Sequence, residues 1–233
     1  MFSLFLTFID PDANARLARD DREHLVALIR RIPGLARAHL LSPAPARDRY
    51  FDDGPPPMLT IQLYFERLET LEEAAGAHGT LQSLARSMPP SLGQAAGFQQ
   101  VMWTRPYPTP ASPAPPRGHS SCSYLVHYPG PAEDMNAWNL HYLEHHPSIM
   151  RTFPDVRQIE IYTRIDWVDR LPSQRVEHMQ RNKLVFDSPQ ALAHALGSDV
   201  IKRMRADFVQ FPPFAGGNKH FPMLTRTVRP KRS

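Results

Sequence analysis

The chain opens on a run in which Leu4, Leu6 and Phe8 alternate with Phe5, Thr7 and Ile9. A segment apolar on both faces predicts a strand buried on both sides, at about Phe2 to Ile9. The spacing then lengthens: Leu17, Asp21, His24, Leu28 and Ile32 recur at three and four residues behind Asp12, a residue suited to an N-cap. This predicts a helix that stops at Pro33-Gly34. Alternation returns over Leu35 to Leu41, and again over Met58 to Glu66, where Leu59, Ile61, Leu63 and Phe65 face one way and Thr60, Gln62 and Tyr64 the other. The Pro-rich stretch 42–57 between them predicts a connection without regular structure. A second helix over Leu68 to Met88 and a strand over Phe98 to Arg105 complete the order βαββαβ, the ferredoxin-like arrangement of a four-stranded antiparallel sheet with both helices on one face.

The pattern then repeats. A strand at Tyr124 to Tyr128, a helix over 133–153, strands at Val156 to Arg164 and Lys183 to Asp187, a helix over 189–210 and a strand over 219–228 follow in the same order. At a constant offset of 121, Glu23, His24, Arg30 and Pro33 fall on Glu144, His145, Arg151 and Pro154, and Met102, Thr104 and Arg105 on Met223, Thr225 and Arg226. The register runs without a gap and pairs Leu4 with Leu125, and it yields 18 identities where composition alone would give roughly 6 or 7. The chain therefore reads as two copies of one unit, residues 1–105 and 122–233, joined by the Pro-rich linker 106–121. Each sheet covers one face with its own helices and must cover the other. The economical arrangement is α+β: two ferredoxin-like units whose sheets face each other as an intramolecular dimeric α/β barrel with a partly polar interior.

Composition narrows the setting. No apolar run approaches the roughly 18 residues of a membrane span, and MFSLFLTFID lacks the basic start of a signal peptide. The single Cys122 cannot form an internal disulfide and suits a reducing cytoplasm. A net charge of +4 invites a nucleic-acid partner, but Arg is dispersed and the basic tail Arg226 to Arg232 carries no aromatic companions, so neither nucleic acid nor membrane is expected. Uncovered strand edges on such barrels predict a homo-oligomer.

The candidate chemistry gathers around HYLEHHPSIMRTFPDV, residues 141–156. Met135, Trp138, Tyr142, His145, Ile149 and Phe153 form the expected apolar stripe of its helix, and Pro147 predicts a break at His145 and His146 that leaves two imidazoles beside a notch. Strand parity sends Arg37, His39, Gln62, Tyr64, Glu160, Tyr162, Lys183 and Val185 into the barrel, together with either His127 or the pair Tyr124 and Tyr128. His145 and His146 at the mouth, with Tyr162, Glu160 and His127 further in, suit proton transfer beside a carbonyl or phenol; the same groups also suit a hydrogen-bonded polar core. His141 and His145 at i and i+4 lack a placed third ligand, so no metal is expected. Neither haem nor a nucleotide cofactor is marked by any motif.

The helix ending in His145-His146-Pro147, the strand start Pro154-Asp155-Val156 and the later LVFDSPQAL together resemble the EthD-like branch of the dimeric α/β-barrel superfamily, here with two subunits fused in one chain. The resemblance implies a barrel pocket between the two sheets. For the wider superfamily it implies cofactor-independent isomerases, polyketide cyclases and decarboxylases, haem-binding members and monooxygenases. His145 and His146 match the branch's helix-end histidine, whereas Leu25 and Val26 depart from it. The expectation is a cofactor-independent isomerase, lyase or cyclase acting on a small cyclic or aromatic carbonyl compound, or else a non-catalytic protein that binds one.

Overall fold

The computed structural model describes residues 1–46, 53–110 and 120–230. The middle of the predicted linker, part of the 42–57 connection and the end of the basic tail lie outside the described residues. Nine strands and six α-helices follow one another as β1 Phe2–Ile9, α1 Arg19–Ile29, β2 Leu35–Pro43, β3 Leu59–Phe65, α2 Leu68–Ala75, α3 Leu81–Arg86, β4 Ala96–Tyr107, β5 Ser121–Tyr128, α4 Met135–Met150, β6 Gln158–Arg164, β7 Gln174–Arg175, β8 Gln180–Phe186, α5 Pro189–Leu196, α6 Val200–Phe208 and β9 Lys219–Val228 among these residues. The order β1-β3-β2-β9-β5-β8-β6-β4 closes through a β4–β1 pairing, so eight antiparallel strands form a complete barrel with the helices outside. Two-residue β7 pairs in parallel with the start of β4. Closure removes the open edges on which the expectation of self-association rested.

The two seams of the barrel are related. On the β2–β9 seam Ala38 faces Val228 and Pro43 faces Met223; on the β4–β6 seam Ile159 faces Tyr107 and Arg164 faces Met102, the same pairs displaced by 121. The β2–β3 and β6–β8 registers match at that offset too, with His39 on Gln62 and Glu160 on Lys183. The first strands do not. Leu4 lies opposite Leu63 while Tyr124 lies opposite Leu184, so β5 answers β1 at 120, and the gap-free pairing of Leu4 with Leu125 is corrected by one residue. Because strand side chains alternate, that slip decides a face. Leu4, Leu6 and Phe8 join the core under α1 to α3, and their counterparts Tyr124, Val126 and Tyr128 join the core under α4 to α6. Phe5 and Leu125 point into the barrel with Met102 and Tyr162. The hydroxyl pairs Ser3–Thr104 and Ser123–Thr225, each 2.7 Å, repeat the relation.

Three helix expectations change. Helix α4 runs unbroken from Met135 to Met150 with Pro147 inside it, so there is no break at His145 and His146. Proline withholds one N–H, but it sits in the last turn, and nearby carbonyls find other donors: Ser148 Oγ gives to His145 O at 2.5 Å, and His145 Nδ1 lies 2.8 Å from His141 O. The buried face also turns by one residue. His146, Pro147 and Met150 are buried and His145 is exposed, and in α1 it is Leu25, Val26 and Ile29 rather than His24. The helices foreseen over Leu68 to Met88 and over 189–210 are each split, at Gly76 to Thr80 and at Gly197 to Asp199. At Gly79 a Cβ would stand 2.1 Å from the Ala74 carbonyl, so only glycine permits that turn.

Candidate functional site

Inside the barrel the polar residues found by parity are brought together, and they satisfy one another. The Glu160 carboxylate accepts from Tyr64 Oη at 2.6 Å, Tyr162 Oη at 2.5 Å, Gln158 Nε2 at 2.6 Å and Arg37 Nη2 at 2.9 Å. The ammonium of Lys183 lies 2.9 Å from the same carboxylate and donates to Gln62 Oε1 at 3.0 Å, with Tyr64 Oη at 2.5 Å and His39 Nδ1 at 3.0 Å. Burial alone would raise the Glu160 carboxyl; the charges of Lys183 and Arg37 outweigh it and hold the group down at about 2. Burial, then the neighbouring Lys183, keeps His39 neutral, and burial with the Glu160 charge pushes the Tyr64 and Tyr162 phenols up. This ion pair is a closed core. His127 shares the interior, with burial holding its imidazole neutral, and it packs 5.4 Å from the Phe221 ring.

The cavity sits elsewhere. About 300 Å³ opens on the outer face of the second half's sheet, between β5 and β8 on one side and α4 and α6 on the other. This cavity thus lies between a sheet and its helices and not between the two sheets as expected, while Phe5, Met102, Leu125, Tyr162 and the Glu160 network pack inside the barrel. Tyr124, Tyr128, His146, Asn182, Arg205, Asn218 and His220 are its polar or aromatic-polar lining, and apolar side chains such as Leu184, Met204 and Phe208 supply much of the rest. This is the usual make-up of a small-molecule site, a greasy cleft with a few placed polar groups.

His146 is held by α6. Its Nδ1 lies 2.6 Å from Asp207 Oδ2, and both side chains are largely buried. His141 Nε2 comes within 3.4 Å of the other carboxylate oxygen. Burial lowers the His146 imidazole below its ordinary value against the pull of Asp207, while the Asp207 carboxyl, which burial would raise, is lowered by its bond to His146. A neutral ring giving Nδ1–H to an ionised carboxylate leaves Nε2 unprotonated, the tautomer of a general base. Around it, Asn182 Nδ2 donates to Tyr142 Oη at 2.7 Å, Tyr142 and Tyr128 are hydrogen-bonded, and Tyr128 is also held by Asn218. The buried Oδ1 of Asn182 has no protein partner. A second imidazole, His220, lies across the cavity with its Nδ1 2.8 Å from Asp53 Oδ2 and its ring stacked 5.5 Å from Tyr124.

Of the five residues proposed from sequence, His146 alone lines this cavity; His145 faces solvent, and Glu160, Tyr162 and His127 lie across the sheet inside the barrel. Sequence reasoning missed Asp207, Asn182, His220 and Asp53. Cys122 is buried, which pushes its thiol up to about 12 and leaves it unreactive.

Comparison of the sequence with protein-family models finds no match, and comparison with curated proteins finds none either. Solved structures do match. An anthrone oxidase-like protein superposes with a TM-score of 0.61 at 13% identity, over 99% of this chain and 93% of its own. A putative monooxygenase from Lactobacillus acidophilus NCFM gives 0.56 at 8% identity over 98% and 96%. Another, from Fusobacterium nucleatum subsp. nucleatum, gives 0.58 at 8% over 99% and 94%. The fold is of the dimeric α/β-barrel type. At these identities the likeness concerns the fold alone, and the functional argument rests on the cavity.

Proposed function

We propose that this chain is a fusion of two ferredoxin-like units of the EthD-like kind, and that the second unit's cavity is the active site of a cofactor-independent enzyme that removes a proton next to the carbonyl of a small cyclic or aromatic compound. The observation that carries this reading is the His146–Asp207 pair, with Nδ1 and Oδ2 2.6 Å apart and His146 on the wall of a largely apolar cavity. His146 Nε2 takes the proton, and Asp207 stabilises the imidazolium that forms. The enolate oxygen is met by the Tyr128 hydroxyl, oriented by Tyr142 and Asn218, and the unpartnered Asn182 Oδ1 accepts from a ligand hydroxyl. Isomerisation, cyclisation and elimination all begin with this step. The EthD-like assignment rests on the HHP and LVFDSPQAL motifs of the second half.

The test uses β-tetralone, an enolisable aromatic ketone small enough for the cavity. In deuterated buffer the wild type should exchange its α-protons faster than His146→Ala by on the order of tenfold or more. Saturable binding with the same exchange rate in both proteins would overturn the enzyme reading and leave a binding protein.

A further inference from the structure

On the barrel's inner side, away from the cavity, one charge has no counterpart. Arg181 is fully buried on β8, opposite His127 on β5 and Tyr162 on β6. Its Nη2 donates to Gln100 Oε1 at 3.2 Å, and the guanidinium stands 4.7 Å over the Phe5 ring. Nε and Nη1, three of its five N–H donors, have no partner. The buried Nε2 of His127 also has none, and His127 lies 5.1 Å from the His178 ring. Glu160 is the buried carboxylate of this interior, and it is already shared by Lys183 and Arg37. No ion pair includes Arg181 among the described residues. A buried guanidinium without an opposite charge is among the costliest arrangements in a protein core, and ring-face attraction to Phe5 recovers only a small part of that cost.

We propose that the barrel holds a small monovalent anion, a halide in size and charge, against Arg181 Nε and Nη1 and the Nε2–H of His127. A halide accepts from several donors without directional demands, which suits buried N–H groups held at fixed positions on neighbouring strands. A phosphate would bring more charge than one guanidinium balances. Burial holds His127 and His178 beside it neutral, and a neutral imidazole still donates one N–H.

Crystals of the wild-type protein grown with bromide should show an anomalous peak within about 3.5 Å of Arg181 Nε or Nη1. Replacing gluconate, too large to enter, by chloride at constant ionic strength should raise the melting midpoint saturably, by about 4 °C or more once chloride far exceeds its dissociation constant. Arg181→Met should lose that response. Water alone at these atoms in the bromide crystals overturns the proposal, as does an undiminished halide response in a folded Arg181→Met protein. If the variant does not fold, the wild-type crystals decide.

Discussion

Glu160 and His146 are both buried and both ionisable, yet their surroundings assign them opposite roles. Glu160 is saturated: four hydrogen bonds and the Lys183 ammonium surround its two oxygens. Removing its charge strands Lys183, so Glu160→Gln should lower the unfolding free energy by about 3–5 kcal/mol near neutral pH in urea titrations. The pH dependence has two stages. Burial lowers His39, His127 and His146, so below the unfolded value of about 6.5 the unfolded chain binds more protons and stability is lost as pH falls. Glu160, held at about 2, stabilises fully above its ordinary value of 4.5, and that contribution is lost as pH falls toward about 2. Urea midpoints measured against pH should show both stages, and Glu160→Gln should flatten the lower one. A midpoint constant from neutral to acid would contradict this assignment of charges.

At the level of elements, α4 positions His146 at the cavity. Its helix survives Pro147, so Pro147→Ala should leave the site in place and change stability from nothing to a gain within the roughly 3 kcal/mol that an interior proline costs. Proton-exchange rates far below wild type in that variant would show that the proline shapes the site after all. The strands were well legible: Phe65, Phe186, Ala38 and Ile159 pack toward the helices, so Tyr64, Lys183, His39 and Glu160 do face inward as their alternation requires. The helices were legible only to within a residue. One position is about 100° of helix, enough to exchange exposed His145 for buried His146. Asp207 was not legible, since an acid in the polar run RMRADF carries no periodic signal and reaches His146 only because α6 packs across α4. The β1–β5 slip was hidden for a similar reason: an apolar run buried on both faces does not announce which residues face which way.

The eight barrel strands form one closed ring whose two seams repeat at an offset of 121, and the cavity around His146 lies in the second half of the described chain. The positions that answer Tyr124, Tyr128, His146, Asn182 and His220 are Leu4, Phe8, Leu25, Ile61 and Gln99, and the first four of these are buried in the apolar core of the first half. Trp167, Ile165 and Leu171 from the second half pack on that same core. Because the halves share two seams, a chain nicked within 111–119 by an inserted protease site should stay one particle with nearly unchanged melting, as sedimentation and calorimetry would show; halves that separate would contradict the closed ring. The central claim is that His146 is a neutral, Asp207-held imidazole at the ligand cavity of the second half, and imidazole nitrogen NMR during a β-tetralone titration tests it most directly. At about pH 7 the His146 ring should report the Nδ1–H tautomer and shift saturably with ligand, while His24 and His39 stay unchanged. A protonated His146 that ignores the ligand, or equal shifts at His24, would contradict the account.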